Sequence, residues 1–376
     1  MTASPFSALP GAVLPEADAA SPDAVRVPLH YGDPFREQRA LEDGTAVVDE
    51  SDLGVVSVTG PDRLNLLHSL TSQDLARLAP GESAETLVLD PNGRLEFAAR
   101  VLDDGETTWL VLDPGFAAPL AAWLDRMRFM LRVEVADRSG AFAAVASTRS
   151  LDMLPVAAPA GVPLAWSDPW SAVVEGGWQY AVGSHPGADR TWIESLVERE
   201  RLPEVVELVR SGALSAAGSL AAEALRIAAW RPRQLVDADE RTIPHELDWL
   251  RTAVHLDKGC YRGQETVAKV HNLGHPPRRV VMLHLDGSDA VLPGHGAIVT
   301  AERDGVEREI GVVTSSALHH DLGPIALAVV KRAVPTELTL SVRAGDTVVS
   351  AAQQTIVPQG AGATADVPRL PRLGRG

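Results

Sequence analysis

Residues 55–135 constrain the fold of this chain more than any other stretch. Residues 55–59 are β-rich, and Gly60-Pro61-Asp62 turns the chain into a helical pattern. Leu64, Leu67, Leu70 or Thr71, Leu75 and Leu78 fall roughly on one face of that helix. Residues 86–89 and 94–101 read as two strands around Asp90-Pro91-Asn92-Gly93, a strong hairpin turn. Asp104-Gly105 turns into a third strand over 108–112, residues 114–130 read as a helix, and 131–135 as a closing strand. Strand, helix, two or three strands, helix, strand is the order of a split βαβ, ferredoxin-like unit.

The remainder of the chain suggests two further units. Residues 142–230 repeat the α/β style less clearly, with a strand expected at 178–182 and helices at 191–200 and 219–230. In the second helix Leu220, Ala224, Ile227 and Ala228 share one side. After Pro276-Pro277 the pattern changes to short strands with glycine turns, at 280–285, 297–300, 309–314, 325–330 and 337–342, which predicts a small β-barrel. The expected class is α+β: two ferredoxin-like units over 28–140 and 141–276, and a barrel over 277–357. Residues 1–27 and 358–376, rich in Pro, Gly and Ala, are expected to be disordered tails.

Composition narrows the function. The formal net charge of -16 argues against bulk nonspecific nucleic-acid binding, which calls for a basic domain, though a local basic patch stays open. One cysteine in 376 residues cannot form an intramolecular disulfide. No apolar run is long enough to span a bilayer, and the N-terminus has no charged region ahead of an apolar core. The expectation is a cytoplasmic protein that makes no use of a membrane.

That cysteine sits in Lys258-Gly259-Cys260-Tyr261-Arg262-Gly263-Gln264-Glu265, beside one of only three lysines in the chain. Gly259 and Gly263 permit positive φ and a close backbone approach to a ligand. A helix starting at Gln264 would put Cys260 near its N-terminus, with Lys258 and Arg262 close in sequence. Both effects favour thiolate, so the thiol is a candidate nucleophile or metal-cluster ligand. With no second cysteine, it cannot hold a cluster or a Cys-based zinc site alone. The competing reading is a small buried hydrophobe in a shaped turn.

The octapeptide resembles the signature of the YgfZ family, folate-binding proteins linked to iron–sulfur cluster assembly and repair. That signature runs Lys-Gly-Cys-Tyr-x-Gly-Gln-Glu, and Lys258 to Glu265 match every fixed position. Leu225-Arg226-Ile227, Ile243-Pro244-His245-Glu246-Leu247 and Gly311-Val312-Val313-Thr314-Ser315 are similar to patterns shared by YgfZ proteins and glycine-cleavage T-proteins. The likeness spans roughly residues 28–357. It implies a ring of three domains with non-covalently bound tetrahydrofolate, or a derivative, in the central hole, and no permanent metal. It also implies iron–sulfur enzymes or assembly factors as transient partners and, from one strand of the family, a role in tRNA modification.

Residue by residue, the resemblance puts Cys260 at the cavity rim as nucleophile, one-carbon acceptor or transient cluster contact, with Lys258 and Arg262 favouring its thiolate. Tyr261, Arg262, Gln264 and Glu265 organise the loop or meet the ligand. Arg226 is a candidate pocket residue from its place in the shared pattern, the alternative being an ordinary surface residue, and Asp113 stands where T-proteins place a folate-pocket Asn. Gln179 replaces the T-protein glutamate that grips the pterin. T-proteins also carry an Asp pair shortly after the hairpin glycine, where this chain has Phe97 and Ala98. If Phe97 faces the pocket, Glu96 points to the other face of its strand. That departure counts against the main alternative, a folate-dependent aminomethyltransferase or methyltransferase. A purely structural folate-binding module is the remaining one.

Other polar clusters read as ordinary surface. His319-His320-Asp321 is expected to be a solvated turn, since adjacent strand residues point to opposite faces. His271 and His275 have i, i+4 spacing, but Gly274 and Pro276 break the helix that would align them. Asp237, Asp239 and Glu240 read as a solvated acidic loop, although the resemblance places this loop near the ligand and keeps a minor role there open. Trp109, Trp123, Trp170 and Trp178 are candidates for stacking on a pterin, although each alone is more often a core residue.

Overall fold

Two sheets lie face to face, and a barrel packs against the helices beside them. The computed structural model describes residues 3–16, 25–288, 291–303 and 305–365. In chain order the strands are β1 (Ala46–Glu50), β2 (Gly54–Thr59), β3 (Ser83–Leu89), β4 (Leu95–Asp103), β5 (Thr107–Leu112), β6 (Glu134–Asp137), β7 (Phe142–Ser147), β8 (Ala165–Ser167), β9 (Ile193–Glu198) and β10 (Ser215–Ala217). Then come β11 (Arg278–Leu285), β12 (Ile298–Arg303), β13 (Val306–His319), β14 (Gly323–Lys331), β15 (Thr339–Ala344) and β16 (Thr347–Thr355). The helices are α1 (Pro34–Glu42), α2 (Arg63–Leu70), α3 (Ala117–Met127), α4 (Leu202–Arg210), α5 (Ser219–Ala228), the single turn α6 (Gln234–Asp237) and α7 (Gln264–Leu273).

The first sheet has the order β3-β4-β5-β2-β6 and is antiparallel throughout. Its elements follow the predicted order of strand, helix, three strands, helix, strand. Alternation sorts its side chains: Val56, Val58, Val101, Leu110 and Leu112 pack against Leu66, Leu67, Leu120 and Leu124 of α2 and α3. Val55, Leu102, Trp109 and Val111 turn the other way and meet the second sheet. The predicted helix from Leu64 ends at Leu70, so Leu75 is buried beyond it, in a loop.

The second sheet differs from expectation. Its order is β10-β1-β7-β9-β8, so one central strand comes from residues 46–50, upstream of the first sheet. The boundaries drawn at 28 and 141 therefore do not follow sheet membership. Residues 191–200, read as a helix, instead form β9, paired with β7 and β8. Its apolar and polar residues had no decisive period, and the pairing across the sheet wins. Residues 178–182, read as a strand, join no sheet. The far face of this sheet (Val47, Ala143, Val145, Val197) packs against Leu202, Val205 and Val206 of α4. Phe6 and Leu9 join that core, so residues 3–16 pack rather than form a tail. Pro5–Ala8 form a 3₁₀ turn, with the Ser4 side chain accepting from the Phe6 N–H. At the other end, the backbone N–H groups of Ala363 and Thr364 bond to Val270 and His271 of α7. Residues 17–24 and 366–376 of the expected tails lie outside the described residues.

The predicted barrel is closed by six strands in the order β11-β14-β13-β12-β15-β16. Val281, Leu283, Val313, Ala328, Leu340 and Val342 fill its interior. Val280, Met282, Leu327 and Val329 face outward onto Ile227, Trp230, Leu250 and Val267. Strand β16 was absent from the sequence reading. Among the described residues, no helix is long and apolar enough to cross a membrane.

Candidate functional site

The inward faces of the two sheets do not close completely, and a cavity of about 820 Å³, its open mouth included, remains between them. On β4, Ala98 and Arg100 share the face of Leu102; on β1 and β9, Glu50 and Glu194 share the face of Val48 and Leu196. All four of the former residues line the cavity. α5 and the segment after it supply Ala222, Glu223, Arg226, Arg231, Arg233 and Gln234, while Trp166 and Trp192 add aromatic walls.

Charge is dense there and mostly paired. Arg100 Nε meets Glu194 at 2.9 Å, and Arg233 Nε meets Asp113 at 3.1 Å. Arg231 bridges Glu85 (2.7 Å) and Asp168 (3.1 Å). Burial would raise Asp113, but Arg233, Arg100 and the Leu235 N–H outweigh it and hold the carboxyl at about 2. Asp52 is pushed up to about 6, chiefly by burial, which here outweighs the pull of Arg233. Such opposed environments within one cavity mark a candidate site.

Arg226 and Asp113 both line this cavity. Arg226 is locked by Glu223 (2.6 Å) and Asp237 (2.7 Å) and donates to the Ser315 hydroxyl at 2.8 Å. Asp237 is correspondingly no solvated loop residue: it is buried and also accepts from Thr314 (2.5 Å) and Ser315 (2.7 Å). A register shift in β13 between Val313 and Ser315 breaks alternation and lets both hydroxyls reach one carboxylate. Asp239 pairs with Arg278 at 2.6 Å.

Gln179 is not in this cavity. Its amide donates to Ala181 O at 2.8 Å and accepts from Arg251. Glu50 and Glu194, which also line the cavity, were missed, as were Trp166 and Trp192. Of the tryptophans singled out, Trp109 packs edge-on to Phe142 and Trp170 is fully buried. Trp123 belongs with the α3 core. Trp178 is partly exposed against His271 in a separate groove that Tyr261 and Gln264 also line.

Strand β4 also departs from the simple two-face reading. A register shift opposite Val88 and Leu89 makes Leu95 pair with Leu89 and leaves Glu96 as the extra residue. Phe97 then turns to the helix side, edge-on to Phe116, and Ala98 faces the cavity. Gln234 fixes this segment by accepting from the Ala98 N–H (2.7 Å) and donating to Glu96 O (2.8 Å).

The octapeptide lies beside this bulge, and its cations are committed elsewhere than to the thiol. Lys258 is buried, and its Nζ donates to His68 O, Thr71 O and Gln73 O at 2.5, 2.7 and 2.9 Å. An ammonium has three donors, so all are used. Burial lowers its pKa to about 8, against the pull of Asp74. Arg262 makes a two-pronged pair with Glu96, at 2.6 and 3.1 Å. The expected activation of Cys260 by these two side chains is corrected accordingly. Gly263, at φ +83°, is the residue before α7, and a Cβ there would sit 2.6 Å from Asp90 O of the hairpin turn. Gln264 donates to Lys258 O at 3.2 Å, and Tyr261 is buried against the lysine. Glu265 and Cys260 are exposed, so the reading of Cys260 as a buried hydrophobe does not hold.

His319 and His320 do not diverge as expected. His319 ends β13 and His320 begins the turn, and their rings stack 4.7 Å apart, within reach of Glu42. His319 is buried, and its Nδ1 accepts the N–H groups of Asp321 and Leu322, both at 3.2 Å. That places the ring proton of a neutral His319 on Nε2, the nitrogen an ion would need.

Comparison with known proteins places this geometry. No family model matches the chain. It is 26% identical over 286 residues to a putative chloroplast transferase of Arabidopsis thaliana, covering 71% of this chain and 62% of that protein. It is 28% identical over 322 residues to an aminomethyltransferase of Nostoc, with 81% of each chain covered. An aminomethyltransferase of Symbiobacterium thermophilum is 27% identical over 337 residues, covering 84% of this chain and 87% of that one. Among solved structures, the glycine cleavage system aminomethyltransferase T from Bartonella henselae superposes with a TM-score of 0.68, at 18% identity, over 93% of this chain and 94% of that one. These relatives and this fold indicate the glycine-cleavage T-protein/aminomethyltransferase superfamily.

Proposed function

We propose that the protein binds a reduced folate in the cavity between its two sheets, within a ring formed by those two units and the barrel. One observation carries this reading: a cavity walled by Trp166 and Trp192 also presents the buried carboxylate of Glu194, 2% exposed, whose Oε2 has no partner. The amino-pyrimidine edge of a pterin supplies adjacent N–H donors, and a buried carboxylate with a free oxygen is their complement. The aromatic walls suit a flat heterocycle. The superfamily's aminomethyltransferases make tetrahydrofolate the ligand to test first.

Within that reading, the protein acts as a YgfZ-type accessory factor for iron–sulfur enzymes, with Cys260 as the exposed reactive group. The octapeptide supports this assignment, and so does the state of β4. Ala98 occupies the cavity face, and the neighbouring carboxylate of Glu96 is tied to Arg262. A folate-dependent aminomethyltransferase, the second reading, is favoured by the relatives' names but calls for a free carboxylate on β4, where this chain presents Ala98.

Anaerobic calorimetry with tetrahydrofolate tests the first step. Saturable binding that is lost in Glu194→Ala is expected, and absence of heat at micromolar protein would refute it. The accessory role is tested by iron–sulfur enzyme activities in cells lacking the protein. Full rescue by both Cys260→Ala and Cys260→Ser would exclude a role for the thiol.

A further inference from the structure

Glu194 is not the only carboxylate that faces this cavity with an unmet oxygen. Glu50 ends β1 on the same side of the second sheet, lines the cavity, and its Oε2 is also buried without a partner. The register explains how two acidic side chains come to face one space. Glu50 stands opposite Ala144 and Glu194 opposite Ala146, on the strand between them. Neither residue is solvated as a surface carboxylate is. Burial pushes Glu50 well above its ordinary range, and Glu194 adds to this, while Arg100 and Arg233 pull the other way. Glu194 differs in holding Arg100 at 2.9 Å, whereas no ion pair of Glu50 within 4 Å is present among the described residues.

A buried acceptor without a donor is costly, and a ligand that brings the donor recovers that cost on binding. The amino-pyrimidine edge of a pterin is the same in oxidised and reduced folates, so Glu194 alone does not tell them apart. The two forms differ in the other ring. Reduction converts ring nitrogens that carry only lone pairs into N–H donors. A second carboxylate is attracted to the reduced ring, and it meets the oxidised one acceptor against acceptor.

We infer that Glu50 is a second ligand-binding carboxylate of this cavity, which accepts from an N–H of the reduced ring and so selects reduced over oxidised pteridines. This rests on the folate reading above. Glu50 is a specificity-determining residue in this role, with no part in bond making.

The experiment is anaerobic calorimetry of the full chain with tetrahydrofolate and with folic acid at pH 8, for wild type, Glu50→Leu and Glu50→Gln. Wild type is expected to favour tetrahydrofolate by about tenfold, the worth of one good hydrogen bond. Glu50→Leu removes the acceptor, so its preference should fall to within about threefold of unity, chiefly through weaker tetrahydrofolate binding. Glu50→Gln, which keeps an acceptor oxygen without the charge, should fall between. Retention of the tenfold preference in Glu50→Leu overturns the role of Glu50 and leaves the folate reading standing. Absence of binding by wild type to either ligand overturns the folate reading, and this inference with it. Thermal melts of the variants establish that they are folded.

Discussion

Replacing Lys258 by methionine separates a structural from an activating role for this residue. Its ammonium sits at the C-terminal end of α2, where helix carbonyls lack intrahelical partners and the helix dipole favours a cation. His68 O, Thr71 O and Gln73 O converge on Nζ within 2.9 Å. Methionine keeps most of the chain length and the packing on Tyr261 but leaves three acceptors without a donor. Hydrogen bonds to a charged group contribute about 1.5–3 kcal/mol each, and part of that is offset because the ammonium no longer has to be desolvated. Water reaching one or two of the carbonyls recovers more. A net loss of about 2–4 kcal/mol is expected, concentrated where α2 meets the octapeptide. Hydrogen–deuterium exchange mass spectrometry should show faster exchange in peptides covering residues 63–75 and 256–264, with the barrel strands unchanged. The alkylation rate of Cys260 against pH is the second measurement. If Lys258 serves the fold, the pH profile in Lys258→Met overlays that of wild type. An unchanged exchange pattern together with a profile displaced by a unit or more to higher pH would refute this reasoning and restore the lysine as the activator of the thiol.

Two further outcomes follow from the same packing. Burial pushes Asp248 up to about 7, against the Tyr180 N–H, Arg251 and the Ala181 N–H, so between about pH 4 and 7 the folded chain holds a proton that the unfolded chain has released. Its contribution is complete below about pH 4 and is lost as pH rises through 7; in Asp248→Asn, which tolerates the left-handed backbone at φ 56°, stability relative to wild type should rise from pH 4 to pH 8 by at most about 4 kcal/mol in urea titrations. Gly263→Ala should cost about 2–3 kcal/mol, because its Cβ would meet Asp90 O at 2.6 Å and its φ is +83°. Gly259→Ala is the control: nothing lies within 4 Å of its Cβ, and its melting temperature should match wild type.

The parts of the fold that were legible in the sequence are those fixed by neighbours in the chain. The hairpin at Asp90–Gly93, the helices starting at Ser219 and Gln264 and the barrel strands follow from local period and turn chemistry. Residues 46–50 were not assigned to the second sheet because their partners lie about a hundred residues away or more, which no local pattern encodes. β9 was misread because Glu194 and Ser195 put buried polar residues in the middle of a strand, where period-based reading expects apolar ones. The same fact hid the cavity. Glu50 and Glu194 look like ordinary polar punctuation until the sheet places them on one face. One signal was present: Val47-Val48-Asp49-Glu50 ends an apolar strand in two acids, an expensive arrangement unless something receives them. The arginines that receive the cavity's other acids, Arg100, Arg231 and Arg233, pair across 13 to 146 residues of chain, so their partners were not readable either.

The octapeptide and the cavity are joined by one strand. β4 begins at the bulge where Glu96 takes Arg262, and two residues later it enters the cavity with Ala98, followed by Arg100. Gln234 binds both stretches, accepting at residue 98 and donating at residue 96. A ligand pressing on Ala98 or drawing Arg100 toward Glu194 therefore acts on the same few ångströms of backbone that hold Arg262. Within the octapeptide, Lys258 is tied to α2, Arg262 to β4, Gly263 to the hairpin turn, and Gln264 to its own loop. Lys258, Arg262 and Gly263 are thus held against the body of the protein, and Cys260 is a side chain the loop leaves outside. The thiol is thus positioned rather than activated by its charged neighbours. The cavity wall at Ala98 and the contact that holds Arg262 are two points on one strand, two residues apart.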